Sequence, residues 1–421
     1  MPKSARAKKA IEKPHWVPNL PESWRIVKKP NGQLAAISTG TVGGKQGVIA
    51  RLSDDNGLTW SATRLLLPME GDFGGPDPLV DRNGELQLFF LKAREKKTDD
   101  DGSGMPLGID IWHTRTTGGW KHIRPPVRLW RGYCGSMNCE FQMKNGRILF
   151  PFSFYSNVTW GHRGEGTEAF TYRGRGVCTL LYSDDDGATW KLSPARLRVS
   201  TPDLSTDEGA IEPVLTQLSD GRVWMLLRTQ NGRFYESFSK DGANWSAPRP
   251  TRILSSDSPA GLVRLKDGRI VLLWNNTLRF PYAYGGRHVL HGAISSDDGK
   301  TWRGFREIAH NPKRDEPPPP RGDHGATYPI PIEVNDGLVI TTTGLPSPHY
   351  NLRLDPDWLL ETEQQTDFSQ GMEDWSAFGV RGVGLVAHPD EAGRKALAIR
   401  KPEADWPAGA VWNFPAGVSG T

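Results

Sequence analysis

The sequence predicts an all-β protein: a six-bladed β-propeller followed by a short C-terminal β segment that either is incomplete or packs on the propeller. Two interleaved repeats and a lack of long helical patterns predict it. The first repeat is the phrase Ser-x-Asp-x-Gly-x-Thr-Trp, at 53–60, 183–190 and 295–302, with a shorter copy at 239–245 and a worn one, Thr-Thr-Gly-Gly-Trp, at 116–120. A segment recurring at blade-like intervals marks a repeat architecture. The second repeat is a turn before an apolar strand: Asn31-Gly32, Asn83-Gly84, Asn145-Gly146, Asp220-Gly221, Asp267-Gly268 and Asp336-Gly337. Asn-Gly or Asp-Gly between strand-like runs is a strong hairpin signal. The runs here include Gln33-Leu-Ala-Ala-Ile37 and Arg269-Ile-Val-Leu-Leu-Trp274. Six hairpins of one kind, alternating with up to five of the other, describe six four-stranded blades around an axis.

Each part of the eight-residue phrase has a physical use. Asp and Gly supply the tight reversal. The Ser and Asp side chains bond local backbone N–H groups. The Trp packs between neighbouring sheets. Sixteen Trp, 47 Gly and 33 Pro in 421 residues suit a turn-rich β protein. The propeller is expected over 16–360, with a basic tail at 1–15 and a partial accessory β segment at 366–421. A stiff, proline-rich loop is expected at 311–321, before the last blade.

Charge excludes some function classes. Lys3, Arg6, Lys8, Lys9 and Lys13 against Glu12 account for the whole net charge of +4. The rest is neutral on balance, which argues for a solvated tail and against a nucleic-acid surface. No apolar run reaches the ~20 residues of a membrane helix. The tail lacks the apolar core of a secretory signal, so the chain is expected to be cytoplasmic, or to start after a removed signal. Cys134, Cys139 and Cys178 form no metal-binding spacing and are expected as core thiols. No metal or cofactor is implied.

The eight-residue phrase resembles the Asp-box (bacterial neuraminidase repeat) of sialidase-like β-propellers. The resemblance implies a site with three arginines on the substrate carboxylate, a Tyr–Glu nucleophile pair and an Asp as acid and base. Ser23-Trp-Arg-Ile-Val27 resembles the family's Arg-Ile-Pro signature, with Val27 in place of Pro, and nominates Arg25. The segment from Glu212 to Arg222 resembles the one holding the catalytic Glu, with Glu208 as a competitor. Arg228 lies eight residues after Asp220 and Arg287 eight before Ser295, as the second and third arginines should. Ala326-Thr-Tyr-Pro329 nominates Tyr328 as nucleophile.

The chemistry is coherent. A guanidinium is a planar fork matched to a carboxylate and stays charged. A sialic acid carries its carboxylate on the anomeric carbon, where a neutral phenol avoids the repulsion a carboxylate nucleophile would meet. A nearby Glu can take the phenol's proton. The sequence departs from the family in the first blade. Residues 36–45, where the acid/base Asp belongs, hold no carboxylate, and Thr39 falls nearest the place. Asp72, Asp77 and His324, with Asp323 beside it, are the alternatives. Further candidates for the mouth of the site are Asn138, Glu140, Asn275 and Asn276 as polar contacts, with Tyr282 and Tyr284 as a sugar-facing aromatic wall. The expected activity is exo-hydrolysis of a terminal sialic or related ulosonic or uronic sugar from an acidic glycan or glycoconjugate. The missing Asp keeps open a non-catalytic carbohydrate-binding propeller. A scaffold propeller, which would need no convergent cationic pocket, is the third reading.

Overall fold

A computed structural model describes residues 14–16, 24–93, 109–132, 135–137, 139–156, 175–200, 209–276, 286–311, 325–335, 337–343, 351–362, 366–369, 371–372, 375–378, 382–400 and 408–412. The expected stiff loop lies almost wholly outside them, with only Asn311 described. So do Cys134, Asn138, Glu208, Tyr282, Tyr284, Asp323, His324 and most of the basic tail.

The first described strand, β1 (His15–Trp16), belongs to the end of the ring. Blade one is β2 (Arg25–Lys28), β3 (Leu34–Val42), β4 (Lys45–Ser53) and β5 (Arg64–Pro68). Blade two is β6 (Phe73–Val80), β7 (Leu86–Ala93), β8 (Ile109–Thr117), β9 (His122–Ile123) and β10 (Val127–Trp130). Blade three is β11 (Phe141–Gln142), β12 (Ile148–Ser156), β13 (Arg175–Ser183) and β14 (Lys191–Leu192). Blade four is β15 (Ile211–Gln217), β16 (Val223–Arg228), β17 (Arg233–Ser239) and β18 (Arg249–Leu254). Blade five is β19 (Gly261–Arg264), β20 (Ile270–Trp274), β21 (Val289–Ser295) and β22 (Arg303–His310). Blade six is β23 (Thr327–Val334), β24 (Gly337–Thr343) and β25 (Asn351–Leu354), completed by β1. His15 pairs with Arg353 and Trp16 with Leu352. The closing strand thus includes His15, which the sequence reading placed in the tail. It also explains why five outer hairpins accompany six inner ones: the last outer strand comes from the start of the chain.

Every blade is an antiparallel meander, and the first strands of neighbouring blades lie together, β2 against β6, β15 against β19, β19 against β23 and β23 against β2. They form the wall of the axis. The Asn/Asp-Gly turns join first to second strands, and the Ser-Asp-Gly-Trp turns join third to fourth. Both kinds lie on one face of the ring. The starts of the first strands therefore lie on the opposite face.

The longer turns share one hydrogen-bond pattern. Gly57 N–H donates to Ser53 Oγ at 2.8 Å, and Thr59 N–H donates to Asp55 Oδ1 at 2.8 Å. The same bonds recur at Ser183, Asp185, Gly187 and Thr189, and at Ser295, Asp297, Gly299 and Thr301. In the shorter copy Asn244 replaces the Thr, donating from its backbone and side chain to Asp241. The hydroxyl and N–H of Thr59 and the hydroxyl of Ser53 hold the Asp55 carboxyl down at about 2. The worn turn keeps only its Trp, whose indole donates to Gly84 O at 2.9 Å.

Each turn's Trp packs against the preceding blade. Trp60 joins Val334 and Val339 of blade six, Trp190 meets Phe89 of blade two edge-on at 5.4 Å, and Trp302 lies 6.3 Å from Trp224 of blade four. Together they join neighbouring sheets through the core. Trp302 is buried, so Trp302→Ala is expected to cost about 3–5 kcal/mol. Denaturant unfolding checks this through the transition midpoint; a midpoint within error of wild type would contradict the inter-blade role.

After blade six a 3-10 turn, Pro356–Leu360, buries Trp358 and Leu359. Beyond it, β26 (Trp375–Phe378) pairs with β29 (Gly409–Trp412), and β27 (Val383–Ala387) pairs with β28 (Lys395–Ile399). Trp375 and Trp412 stack at 5.0 Å between ring centroids. No helix among the described residues is long and apolar enough to cross a membrane.

Candidate functional site

Three first strands begin with the same distortion. The ladder shifts register between Gly74 and Asp77 in β6, between Ile211 and Val214 in β15, and between Thr327 and Ile330 in β23. At each shift a residue with positive φ precedes a proline: Gly75 at 58°, Glu212 at 46° and Tyr328 at 53°. A bulge bends a strand and re-aims a side chain. A non-glycine residue held at positive φ costs of order 1–3 kcal/mol and persists only where its surroundings enforce it. Blades four and six thus direct a Glu and a Tyr from equivalent positions, and blade two places a glycine there. The three X-Pro dipeptides are a sequence signal that spacing alone does not use.

The two side chains meet. Tyr328 Oη donates to Glu212 Oε1 at 3.1 Å. Arg228, the last residue of β16, donates from Nη1 to Glu212 Oε2 at 2.5 Å and to Tyr328 Oη at 3.2 Å. Its Nε donates to Asp257 Oδ1 at 2.6 Å. Arg287, before β21, donates from Nε and Nη2 to the Asp257 carbonyl at 2.9 and 2.6 Å, and its guanidinium lies 5.6 Å from the Tyr328 ring centroid. Glu212, Arg228, Asp257 and Arg287 are all buried, with no more than 5% exposed. Burial opposes charge on Arg228, but Glu212, Asp257 and Tyr328 outweigh it and strengthen the guanidinium's hold on its proton. Burial likewise opposes charge on Asp257, and Arg228 first, then Arg287, keep its carboxyl below the ordinary range. Asp257 escaped the sequence reading. It lies in a Ser-Ser-Asp-Ser run between strands that belongs to neither repeat.

Arg25, at the start of β2, forms a second group on the same face. Its Nε lies 3.7 Å from Asp77 Oδ1, and its Nη2 donates to Met137 O at 3.4 Å. The neighbouring Ser136 N–H donates to Glu212 Oε1 at 3.2 Å. One backbone step between Ser136 and Met137 therefore ties the Arg25 group to the Glu212 group. The arginine trio divides accordingly: Arg228 and Arg287 flank the phenol, and Arg25 pairs with Asp77 across that step.

Asp77 is buried, and burial pushes its carboxyl up to about 6 despite the Arg25 charge and a hydrogen bond with Glu140. Asp72 is exposed, one residue before β6. Asn275, expected as a sugar contact, is 1% exposed and its amide is already engaged. Nδ2 donates to Arg287 O, Val289 O and Ala326 O, at 3.3, 2.7 and 2.8 Å, while Oδ1 accepts from Ser258 at 2.7 Å. An Asn after an inner strand reads equally as a ligand contact or a backbone tie; here it ties the strand entries bearing Arg287 and Tyr328. Tyr282 and His324 lie outside the described residues. Cys178 is in the core, and Cys139 exchanges hydrogen bonds with the Leu215 backbone. Among the described residues, no three His, Cys, Asp or Glu side chains group as a metal site.

The sequence matches the BNR repeat-like domain family over residues 32–340. No curated protein sequence matches it significantly. Among solved structures, it is similar to a protein of unknown function from Dyadobacter fermentans, with 17% identity and a TM-score of 0.56, over 82% of this chain and 97% of that one. A Hadza microbial sialidase gives 14% identity and a TM-score of 0.56, over 79% of this chain and 65% of the sialidase. NanB sialidase from Streptococcus pneumoniae, in a complex, gives 14% identity and a TM-score of 0.52, over 80% of this chain and 68% of that one. This chain therefore spans less than two thirds of the Hadza enzyme, and at these identities the likeness is one of fold. With its six blades, its interleaved turns and the match over most of its length, the chain belongs to the BNR repeat-like domain family and is a β-propeller of sialidase-like architecture.

Proposed function

We propose that this protein is an exo-acting glycoside hydrolase of sialidase type, which removes a terminal acidic 2-keto sugar or a related uronic sugar from a glycan with retention of configuration. The observation that carries the reading is the Tyr328 phenol, which donates to Glu212 and accepts from Arg228. That is the arrangement of a nucleophile beside its base, with a cation placed to favour the phenolate. In the first step Tyr328 Oη attacks the anomeric carbon, Glu212 takes the phenolic proton, and the glycosidic C–O bond breaks. The leaving oxygen takes a proton from an acid. In the second step water attacks the anomeric carbon, gives a proton to the conjugate base of that acid and displaces the tyrosyl oxygen, which takes its proton back from Glu212. The guanidiniums of Arg25, Arg228 and Arg287 hold the substrate carboxylate. The sialidases among the structures of like fold support an acidic glycan as substrate. Asp77 is the acid in this reading, since it is the alternative carboxyl that lies beside Arg25.

One observation favours a second reading, binding without cleavage. The first blade has no carboxylate between residues 36 and 45, and β3 ends with Thr39 and Thr41 exposed. Fluorogenic α-glycosides of sialic acid, of a 3-deoxy-ulosonic acid and of glucuronic acid, with proton NMR of the released anomer, distinguish the two. Release of a retained anomer supports hydrolysis. Saturable binding with no release supports the second reading, and absence of both rejects an acidic-sugar site.

A further inference from the structure

The axis beneath Arg25 holds a group of polar atoms that the proposed chemistry leaves partly unused. A cavity of about 220 Å³ runs along the first strands, lined at one end by Arg25, Asp77 and Glu140 and at the other by Lys28. Its walls are otherwise apolar, with Leu79, Leu262 and Ile330 among them. Three buried atoms here have no hydrogen-bond partner: Arg25 Nη1, Asp77 Oδ2 and Glu140 Oε1. Asp77 itself is 3% exposed.

Two neighbouring carboxyl groups face one guanidinium here. Both ionised, they would leave an unbalanced negative charge in a largely dry space, which is costly. One shared proton removes it, and the two carboxyl groups line one cavity, each with a buried oxygen that has no partner. Other charged or titratable groups do not supply the balance. The Cys139 thiol is pushed up to about 12 by burial, so it stays neutral. Lys28 is bound to Asn335 Oδ1 at 2.8 Å at the far end. The lining residues of β19 and β23 carry no charge.

We infer that Asp77 and Glu140 hold one proton between them in the ligand-free protein, and that this shared proton keeps Arg25 available to an acidic ligand. While the pair keeps its proton, the three groups are neutral together and Arg25 can turn its open Nη1 to an incoming carboxylate. Loss of the proton leaves a dianion that grips Arg25 and repels that carboxylate. Burial raises both carboxyl groups, so the pair's release of its proton belongs to the pair and not to either residue. The sign follows. The pair is protonated at low pH, so acidic ligands bind best there and affinity falls as pH rises through the pair's range. By linkage, binding of an anion takes up a proton.

The coupling to Arg25 rests on the carboxylate grip proposed above; the shared proton does not, so the two are tested separately. Infrared spectroscopy of the ligand-free protein reads the proton. A protonated-carboxyl band is expected at neutral pH and is expected to vanish in Glu140→Gln, where Asp77 remains ionised against Arg25. Absence of that band in the wild type, or its persistence in Glu140→Gln, overturns the shared proton. Calorimetric titration with N-acetylneuraminic acid in buffers of different ionisation enthalpy reads the coupling. The expected results are uptake of up to one proton in the wild type, an affinity falling by up to tenfold per pH unit once the pair begins to release its proton, and a flat profile with binding retained in Glu140→Gln. A wild-type affinity that does not change with pH, or an unchanged slope in Glu140→Gln, overturns the coupling. If this sugar does not bind, the carboxylate grip fails for it and the coupling to Arg25 falls too, while the infrared band still decides the shared proton.

Discussion

Tyr328→Phe is expected to lower kcat on a fluorogenic acidic glycoside by at least roughly a thousandfold, with KM changed little, because the ring stays in place and only the attacking oxygen is lost. The fold should tolerate the change. Glu212 loses the phenolic donor but keeps Arg228 and the Ser136 N–H, so the cost is about 1 kcal/mol, that of one hydrogen bond. Steady-state kinetics and a thermal melt on the same preparation check both parts. A variant that retains a tenth of the wild-type turnover would remove Tyr328 from the chemistry and move the reaction to water activated by Glu212. A variant that unfolds would instead give the ring a structural role and leave the nucleophile to be tested by trapping a tyrosyl glycoside in the wild type.

Arg228→Ala is expected to cost about 3–5 kcal/mol of stability. The sequence reading treats this residue chiefly as a substrate contact, but its environment demands more. Arg228 is the only residue hydrogen-bonded to both the Glu212 and Asp257 carboxylates among the described residues, and both are buried. Its removal strands two negative charges away from water. Arg228→Lys keeps a charge but not the fork, so it should restore part of the stability without restoring ligand binding. Chemical denaturation of the two variants checks this. An alanine variant as stable as the wild type would mean that the two carboxyl groups take up protons at little cost, and that the cluster is softer than its distances imply.

Why these residues meet was only partly readable in the primary structure. The two repeats place the inner strands of each blade, so a residue eight positions from a turn can be assigned to a face of the ring. That is how Arg228 and Arg287 come to one place, with Glu212 and Tyr328 beside them. Orientation needed a further feature. Glu212 and Tyr328 face the axis because the ladder slips one residue at each X-Pro step, and period-two alternation does not predict a slip. Asp257 was missed because a polar run between strands reads as a turn. Its partner Arg228 is 29 residues away, across a blade. Asn275 reads two ways, since an Asn after an inner strand serves equally to contact a sugar or to cap a turn; here three backbone carbonyls claim its amide. β1 has only two residues, too few for any pattern to mark as a strand, and only its pairing with β25 reveals it.

The borrowed rim strand of blade six has a consequence for how the molecule is made. A ribosome delivers β1 first, yet its partner β25 emerges only after five other blades, so the hoop stays unlatched through most of translation. During that interval the backbone edge of Leu352 and its neighbours has not yet been synthesised, and the early strand has nothing to bind. Moving the β1 segment from before the first blade to directly after β25, ahead of the residues that now follow it, would turn this distant clasp into a local hairpin. Such a variant should latch sooner and refold faster, without any change to the groups around the axis.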